Sequence, residues 1–311
     1  MSLLEVEGFT LSFVQYARGL RRRRLEVITG LDLEVSPGEL VAVVGASGSG
    51  KSLLAHALLG LLPGNAHEGG RLVYDGTPLT RERREALRGR EIALIPQSVA
   101  ALDPLQTIER QVQRAARLAG HDDPVSTGRT ALAERRLPEA SWSRHPHQLS
   151  GGMARRALAA IGTMGSSRLV IADEPTPGLH PEIVTETLTG LRQLARGGAA
   201  VVLITHELSG ALEVADRIAV FYAGTTVEQA PVTAFAGEGR ELTHPYSRAL
   251  WQALPRNGLH PLPGGQPAPD RLPPGCLFAD RCPLVIDDCR HERPAARPVG
   301  ASVTRCIRAE G

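Results

Sequence analysis

The chain has 311 residues, 42% hydrophobic and 22% charged, with a formal net charge of +2. At that length folding hides about three quarters of the unfolded surface, so a large core is possible without staples. The near balance of charge argues against a nucleic-acid protein that relies on bulk positive charge, and Met1-Ser-Leu-Leu-Glu-Val-Glu lacks the basic-then-apolar pattern of a secretory signal.

In chain order, Leu3–Val6, Phe9–Phe13, Val27–Val35 and Leu40–Val44 read as short strands, with a turn at Pro37-Gly38. The basic run Arg21–Arg24 reads as a solvated hairpin tip. Leu53–Leu62 reads as a helix closed by Pro63-Gly64. It is half the ~20 residues that a membrane span needs, so the expectation is a soluble protein whose membrane contact is made through partners. Residues 105–137 are polar and helical in period, with breaks at Pro104 and Pro124. Leu169–Ala172 and Ala200–Thr205 are continuous apolar runs, suited to strands buried on both faces of a parallel sheet. A helix over Ile183–Ala195 lies between them, and Ile218–Tyr222 is a further strand. From residue 255 to 275 prolines and glycines dominate, which predicts a linker or extended wrap. The chain therefore divides into a main domain, 1–254, and a linker with a small cysteine-bearing tail, 255–311.

Two segments carry chemistry. Gly45-Ala46-Ser47-Gly48-Ser49-Gly50-Lys51-Ser52 fits G-x-x-x-x-G-K-[ST] between an apolar strand and a helix. Glycines let backbone N–H groups ring a phosphate, and the helix N-terminus favours negative charge. Lys51 is placed to reach the terminal phosphates, and Ser52 to offer a hydroxyl to Mg²⁺. The run Leu169-Val-Ile-Ala-Asp173-Glu174 ends an apolar strand in two carboxylates, at the edge where open α/β sheets bind ligands. Asp173 would hold Mg²⁺ through water, and Glu174 would orient or deprotonate the attacking water.

Leu149-Ser150-Gly151-Gly152-Met153, placed with those two segments, resembles the diagnostic signature of the ABC ATPases. The resemblance implies an α/β fold: a P-loop NTPase core with a parallel sheet, an antiparallel β subdomain, a helical subdomain carrying the signature, and a small cysteine-rich C-terminal extension. It implies that Ser150, Gly151 and Gly152 cap an ATP held by a second ATPase subunit. Gln97, in Ile-Pro-Gln, matches the family's Mg²⁺-contacting glutamine, and His206 the histidine that contacts the γ-phosphate. Phe13 best matches the aromatic that stacks on adenine, with Tyr16 as its rival. One position departs: Gly178-Leu179-His180 stands where the family usually has a final Asp. His180 is no permanent anion, which points to a pair of unequal ATP sites, with the loop backbone doing the work as the alternative.

Ser143–Met153, Ala101–Ile108, His244-Pro-Tyr-Ser-Arg-Ala-Leu and Gly275-Cys276-Leu-Phe-Ala-Asp-Arg-Cys282-Pro resemble the peptide/nickel importer branch. That resemblance implies an ATPase powering uptake of peptides, nickel or metal chelates from the cytoplasmic face of the membrane. Its partners would be a second, different ATPase chain, two permease subunits and an extracellular solute-binding protein, with no nucleic acid. The alternatives are a non-transport ATPase of the DNA-repair type, which the Gly-Leu-His run resembles, or an exporter ATPase. All four cysteines, Cys276, Cys282, Cys289 and Cys306, fall in the tail, with five, six and sixteen residues between them. Disulfides conflict with a reducing compartment, and structural zinc usually shows a close C-x₂₋₄-C pair. Wider spacing suits a [4Fe–4S] cluster, which the resemblance to the branch also implies; zinc, free thiols and oxidative disulfides stay open.

Overall fold

The computed structural model describes residues 2–16, 22–165 and 167–310. The early elements are β1 (Leu4–Tyr16), β2 (Arg22–Val35), β3 (Leu40–Val44), α1 (Lys51–Leu58), β4 (Ala66–Tyr74), β5 (Thr77–Pro78), α2 (Arg81–Leu87) and β6 (Ile92–Ile95). They are followed by α3 (Ile108–Leu118), α4 (Pro124–Glu134), α5 (Gly151–Gly162), β7 (Leu169–Asp173), α6 (Pro181–Arg196) and β8 (Ala200–Thr205). The last third supplies α7 (Leu208–Val214), β9 (Arg217–Tyr222), β10 (Thr225–Pro231), α8 (Pro245–Gln252), α9 (Asp288–His291), β11 (Arg297–Val299) and β12 (Ser302–Thr304). The chain forms two compact units: Met1–Ser36, Leu40–Leu79 and Thr205–Gly311 in the first, Pro37–Glu39 and Thr80–Ile204 in the second.

In the first unit the strands run in the order β5-β4-β1-β2-β10-β9-β3. The β1–β2 and β1–β4 pairs are antiparallel, whereas β3 lies parallel to β9. The two strands expected at Leu3–Val6 and Phe9–Phe13 are one, because register shifts between Val6 and Phe9 absorb the interruption at Glu7-Gly8. Arg22–Arg24 are exposed but belong to β2 rather than to a tip; Arg21 lies outside the described residues. The first helix stops four residues before Leu62. Gly60 takes a left-handed φ of 64°, and the Leu61 N–H returns to His56 O at 2.8 Å, a Schellman-type close. β4 escaped the sequence reading because His67–Gly70 break its pattern and only Leu72–Tyr74 are buried.

The tail is woven into this unit. β12 pairs antiparallel with β10, Glu228 facing Thr304, and Arg305 forms an ion pair with Asp32. Phe278, 1% exposed, meets the rings of Tyr222 and Tyr246, both at 5.4 Å.

In the second unit β6, β7 and β8 are parallel, Ile92 facing Leu169 and Leu169 facing Ala200. Every residue of β7 and β8 is buried, as continuous apolar runs predict. The helical residues after Pro104 divide at Gly120 and Pro124 into α3 and α4, which share a core with α5 through Ile108, Val112, Leu132 and Leu158.

Candidate functional site

The loop expected to bind phosphate, Gly45–Ser52, joins β3 to α1 in the first unit. A side chain on Gly45 would place its Cβ 2.1 Å from the Phe221 carbonyl oxygen, so only glycine lets the loop turn against β9. Gly50, at φ 97°, is the cap of α1. Lys51 is 5% exposed, and its ammonium donates to Gly45 O at 2.8 Å and Ala46 O at 3.0 Å. The loop thus folds its carbonyls around its own cation, leaving N–H groups for an anion. The Ser49 hydroxyl is buried without a hydrogen-bond partner, a cost that a bound ligand can remove. Also in this unit, Phe13 is half-buried on β1, and Tyr16 is 68% exposed with the Arg22 guanidinium 5.7 Å from its ring centre. His206 is exposed just past β8, beside Thr205, whose hydroxyl accepts from the Glu207 N–H at 3.0 Å.

The second unit holds Gln97, Asp173, Glu174 and Ser150–Gly152. Asp173 ends β7 and is 4% exposed. Glu174 is buried with φ at 46°, a left-handed backbone uncommon for a residue with a side chain. It costs about 1–3 kcal/mol, and is held by the Glu174 N–H to Ile204 O at 2.8 Å and by Arg155 Nη1 donating to Glu174 O at 3.3 Å. Arg155, from the helix that follows the signature, was not foreseen in the sequence. Gln97 is exposed in the turn after β6. Ser150 caps α5, its Oγ accepting from the Met153 N–H at 3.3 Å. A Cβ on Gly152 would touch Leu179 and Ile183 at 3.9 and 3.8 Å, so the signature packs against the Gly-Leu-His turn. His180 is exposed at the N-cap of α6 and makes no side-chain cap bond.

The four cysteines are free thiols. Burial pushes the Cys276 thiol pKa up, and the nearby Cys289, Cys306 and Cys282 push it further. Cys276 N–H donates to Cys289 O at 2.7 Å. The expected metal centre is not supported: among the described residues no group of three or more His, Cys, Asp or Glu side chains is placed to hold a metal ion. The tail's aromatic contacts were missed too. Tyr246 lies in the His-Pro-Tyr stretch, but nothing local to that stretch says that Phe278 and the Tyr222 ring would close on it.

Residues 28–177 match the family described as ABC transporter, and residues 227–289 the one described as oligopeptide/dipeptide transporter, C-terminal region. A relative named "Probable peptide ABC transporter ATP-binding protein y4tR", from Sinorhizobium fredii, is 38% identical over 85% of this chain and 84% of its own. The oligopeptide transport ATP-binding protein AppD of Bacillus subtilis is 33% identical over 94% of this chain and 92% of its own. Among solved structures, a dimeric ATP-binding cassette in a post-hydrolysis state with ADP and phosphate superposes with a TM-score of 0.65 at 22% identity, covering 74% of this chain and 98% of that one.

Proposed function

The chain belongs to the ATP-binding subunits of ABC transporters, with the oligopeptide/dipeptide C-terminal region, and on that premise we propose that it hydrolyses Mg-ATP to drive import of peptides. The observation that carries the cargo is the match over residues 227–289, which also speaks against the exporter and DNA-repair alternatives. The two relatives named above are peptide and oligopeptide transporters, so peptide is preferred to the nickel or metal-chelate cargo expected beside it. Among the described residues no helix is long and apolar enough to cross a membrane. Membership of a transporter family is what supports a peripheral place at the cytoplasmic face, bound to two permease subunits fed by an extracellular binding protein.

In the reaction Lys51 exchanges Gly45 O and Ala46 O for the terminal phosphates, and the loop N–H groups take the rest of the negative charge. The resemblance gives Ser52 in the first unit, and Asp173 and Gln97 in the second, the family's Mg²⁺-binding roles; the ion would supply charge neutralisation for the phosphates. Glu174 orients the attacking water, His206 contacts the γ-phosphate, and Phe13 stacks on adenine. Ser150, Gly151 and Gly152 face the ATP of a second ATPase chain. With His180 in place of the family's Asp, the two sites are unequal and the partner is a different chain.

The spacing of the four cysteines, wider than a C-x₂₋₄-C zinc pair, is what favours a [4Fe–4S] cluster over zinc. Cys276, Cys282, Cys289 and Cys306 would bind it as thiolates, and its role is to staple a tail with little core of its own.

The test is to isolate the tagged chain with its native membrane partners and reconstitute them in vesicles. ATP-driven uptake of peptides, lost with Lys51→Ala, is expected. ATP hydrolysis that no peptide and no peptide-binding protein stimulates would overturn the cargo.

A further inference from the structure

The Pro/Gly-rich segment after residue 260 does not hang free. At its start, Arg281 donates to Leu262 O at 3.1 Å and Pro263 O at 2.9 Å. At its end, Asp270 is held on the β2 side of the hairpin, with Arg23 Nη2 at 2.9 Å from Asp270 O and 3.6 Å from its carboxylate. Between these anchors, Gln266 reaches the phosphate-binding loop: its Nε2 is 3.5 Å from Ser47 O and 3.8 Å from where a Gly48 Cβ would stand. The Gln266 Oε1 is buried with no hydrogen-bond partner. The alternative amide orientation would set Oε1 against the Ser47 carbonyl, acceptor facing acceptor, so the N–H₂ end belongs on the loop.

Ser47 C=O and Gly48 N–H are the two ends of one peptide plane. A phosphate cradle needs its N–H groups inward. Lys51 holds Gly45 O and Ala46 O; Gln266 is placed to hold Ser47 O. A donor on that oxygen also polarises the peptide and strengthens the N–H at its other end.

We propose that Gln266 is a positioning residue of the ATP site, holding the Ser47–Gly48 peptide so that the Gly48 N–H meets the nucleotide phosphates. The linker is then a strap clamped by Arg281 at one end and Arg23 at the other, with its working contact in the middle. Arg281 also donates to the Tyr222 hydroxyl at 3.2 Å, one residue from the Phe221 carbonyl that floors the loop at Gly45. The strap therefore ties the cysteine-bearing tail to the phosphate loop through Gln266 and, by way of Tyr222, through Arg281. This rests on Gly45–Ser52 binding ATP, as proposed above.

The experiment measures Mg²⁺-dependent binding of a fluorescent ATP analogue to the full chain, and KM against kcat in the assembled transporter. Gln266→Ala is expected to weaken binding and raise KM about three- to tenfold, with kcat falling by less than that factor. Gln266→Lys, which keeps an N–H donor, restores most of the affinity; Gln266→Glu, which loses the donor and adds a negative charge, weakens binding beyond Ala. Unchanged affinity in Gln266→Ala, or no rescue by Lys, overturns the proposal. So does tighter binding, because the strap would then be competing with nucleotide. Lys51→Ala separates the two readings: if wild type binds and Lys51→Ala does not, the ATP site stands whatever Gln266 does.

Discussion

At the scale of single residues, each unit carries a local cost. In the second, Glu174 holds a left-handed φ of 46°; in the first, a buried Ser49 hydroxyl has no partner. Such costs fit residues kept for function rather than for stability. Glu174→Gln keeps the shape and removes the charge proposed to position water, so hydrolysis in the assembled transporter should fall by roughly two to four powers of ten while ATP is retained. A filter-binding assay beside a turnover assay reads both. His244 is a different kind of residue. Burial drives its pKa down to about 3, and its Nδ1 accepts the Tyr246 N–H at 3.1 Å, so the folded ring stays neutral. Around it lie the Phe278 ring, at 5.8 Å, and the Glu228 carboxylate, which accepts from the His244 backbone N–H at 3.0 Å. The unfolded chain takes up the proton near pH ~6.5. Stability from this group is therefore full above that pH and is lost as pH falls from about 6.5 toward 3, by up to ~1.4 kcal/mol per pH unit. Urea midpoints at pH 7.5 and 5.5 should differ accordingly, and His244→Asn, which can still cap α8, should lessen the difference.

At the scale of elements, close approaches decide what is tolerated. A Cβ on Gly275 would stand 2.3 Å from Cys289 O and 2.4 Å from the Arg290 carbonyl carbon, so Gly275→Ala pushes apart the two segments that carry Cys276 and Cys289. Anaerobically purified wild-type protein should be brown, with about four irons per chain at full loading; Gly275→Ala should lose that iron. Stoichiometric zinc without iron in the wild type would count against the cluster. The element boundaries also show what a sequence hides. β3, β7 and β8 are legible because continuous apolar runs have one use in a parallel sheet. β4 is not, since its exposed half, His67–Gly70, is ordered by pairing with β1 rather than by its own pattern.

At the scale of the whole molecule, the tail is a structural part of the first unit and not an appendage. β12 pairs along β10, and Phe278 packs against the contacting rings of Tyr222 and Tyr246. Phe278→Ala should cost ~3–5 kcal/mol in urea unfolding. Ending the chain at residue 254 should destabilise the first unit by more than that, since it also uncovers β10 and frees Asp32 from Arg305. A truncated chain as stable as the full one would show that the tail folds by itself.

The sequence by itself determined the phosphate loop, the two carboxylates, the signature and the family, because each is a contiguous motif whose chemistry is set by residue type and spacing. It also placed the four cysteines in one tail. Tertiary structure alone decided what holds these pieces. Arg155 came to the Glu174 carbonyl, Arg281 and Phe278 to Tyr222, and Gln266 to the phosphate loop across 219 positions of chain. Such contacts depend on which segments pairing and burial bring side by side, and no local pattern of residues records that. The loop Gly45–Ser52 was readable as a cradle for phosphate; that its carbonyls meet Lys51 from within and Gln266 from 219 positions along the chain was decided by the fold.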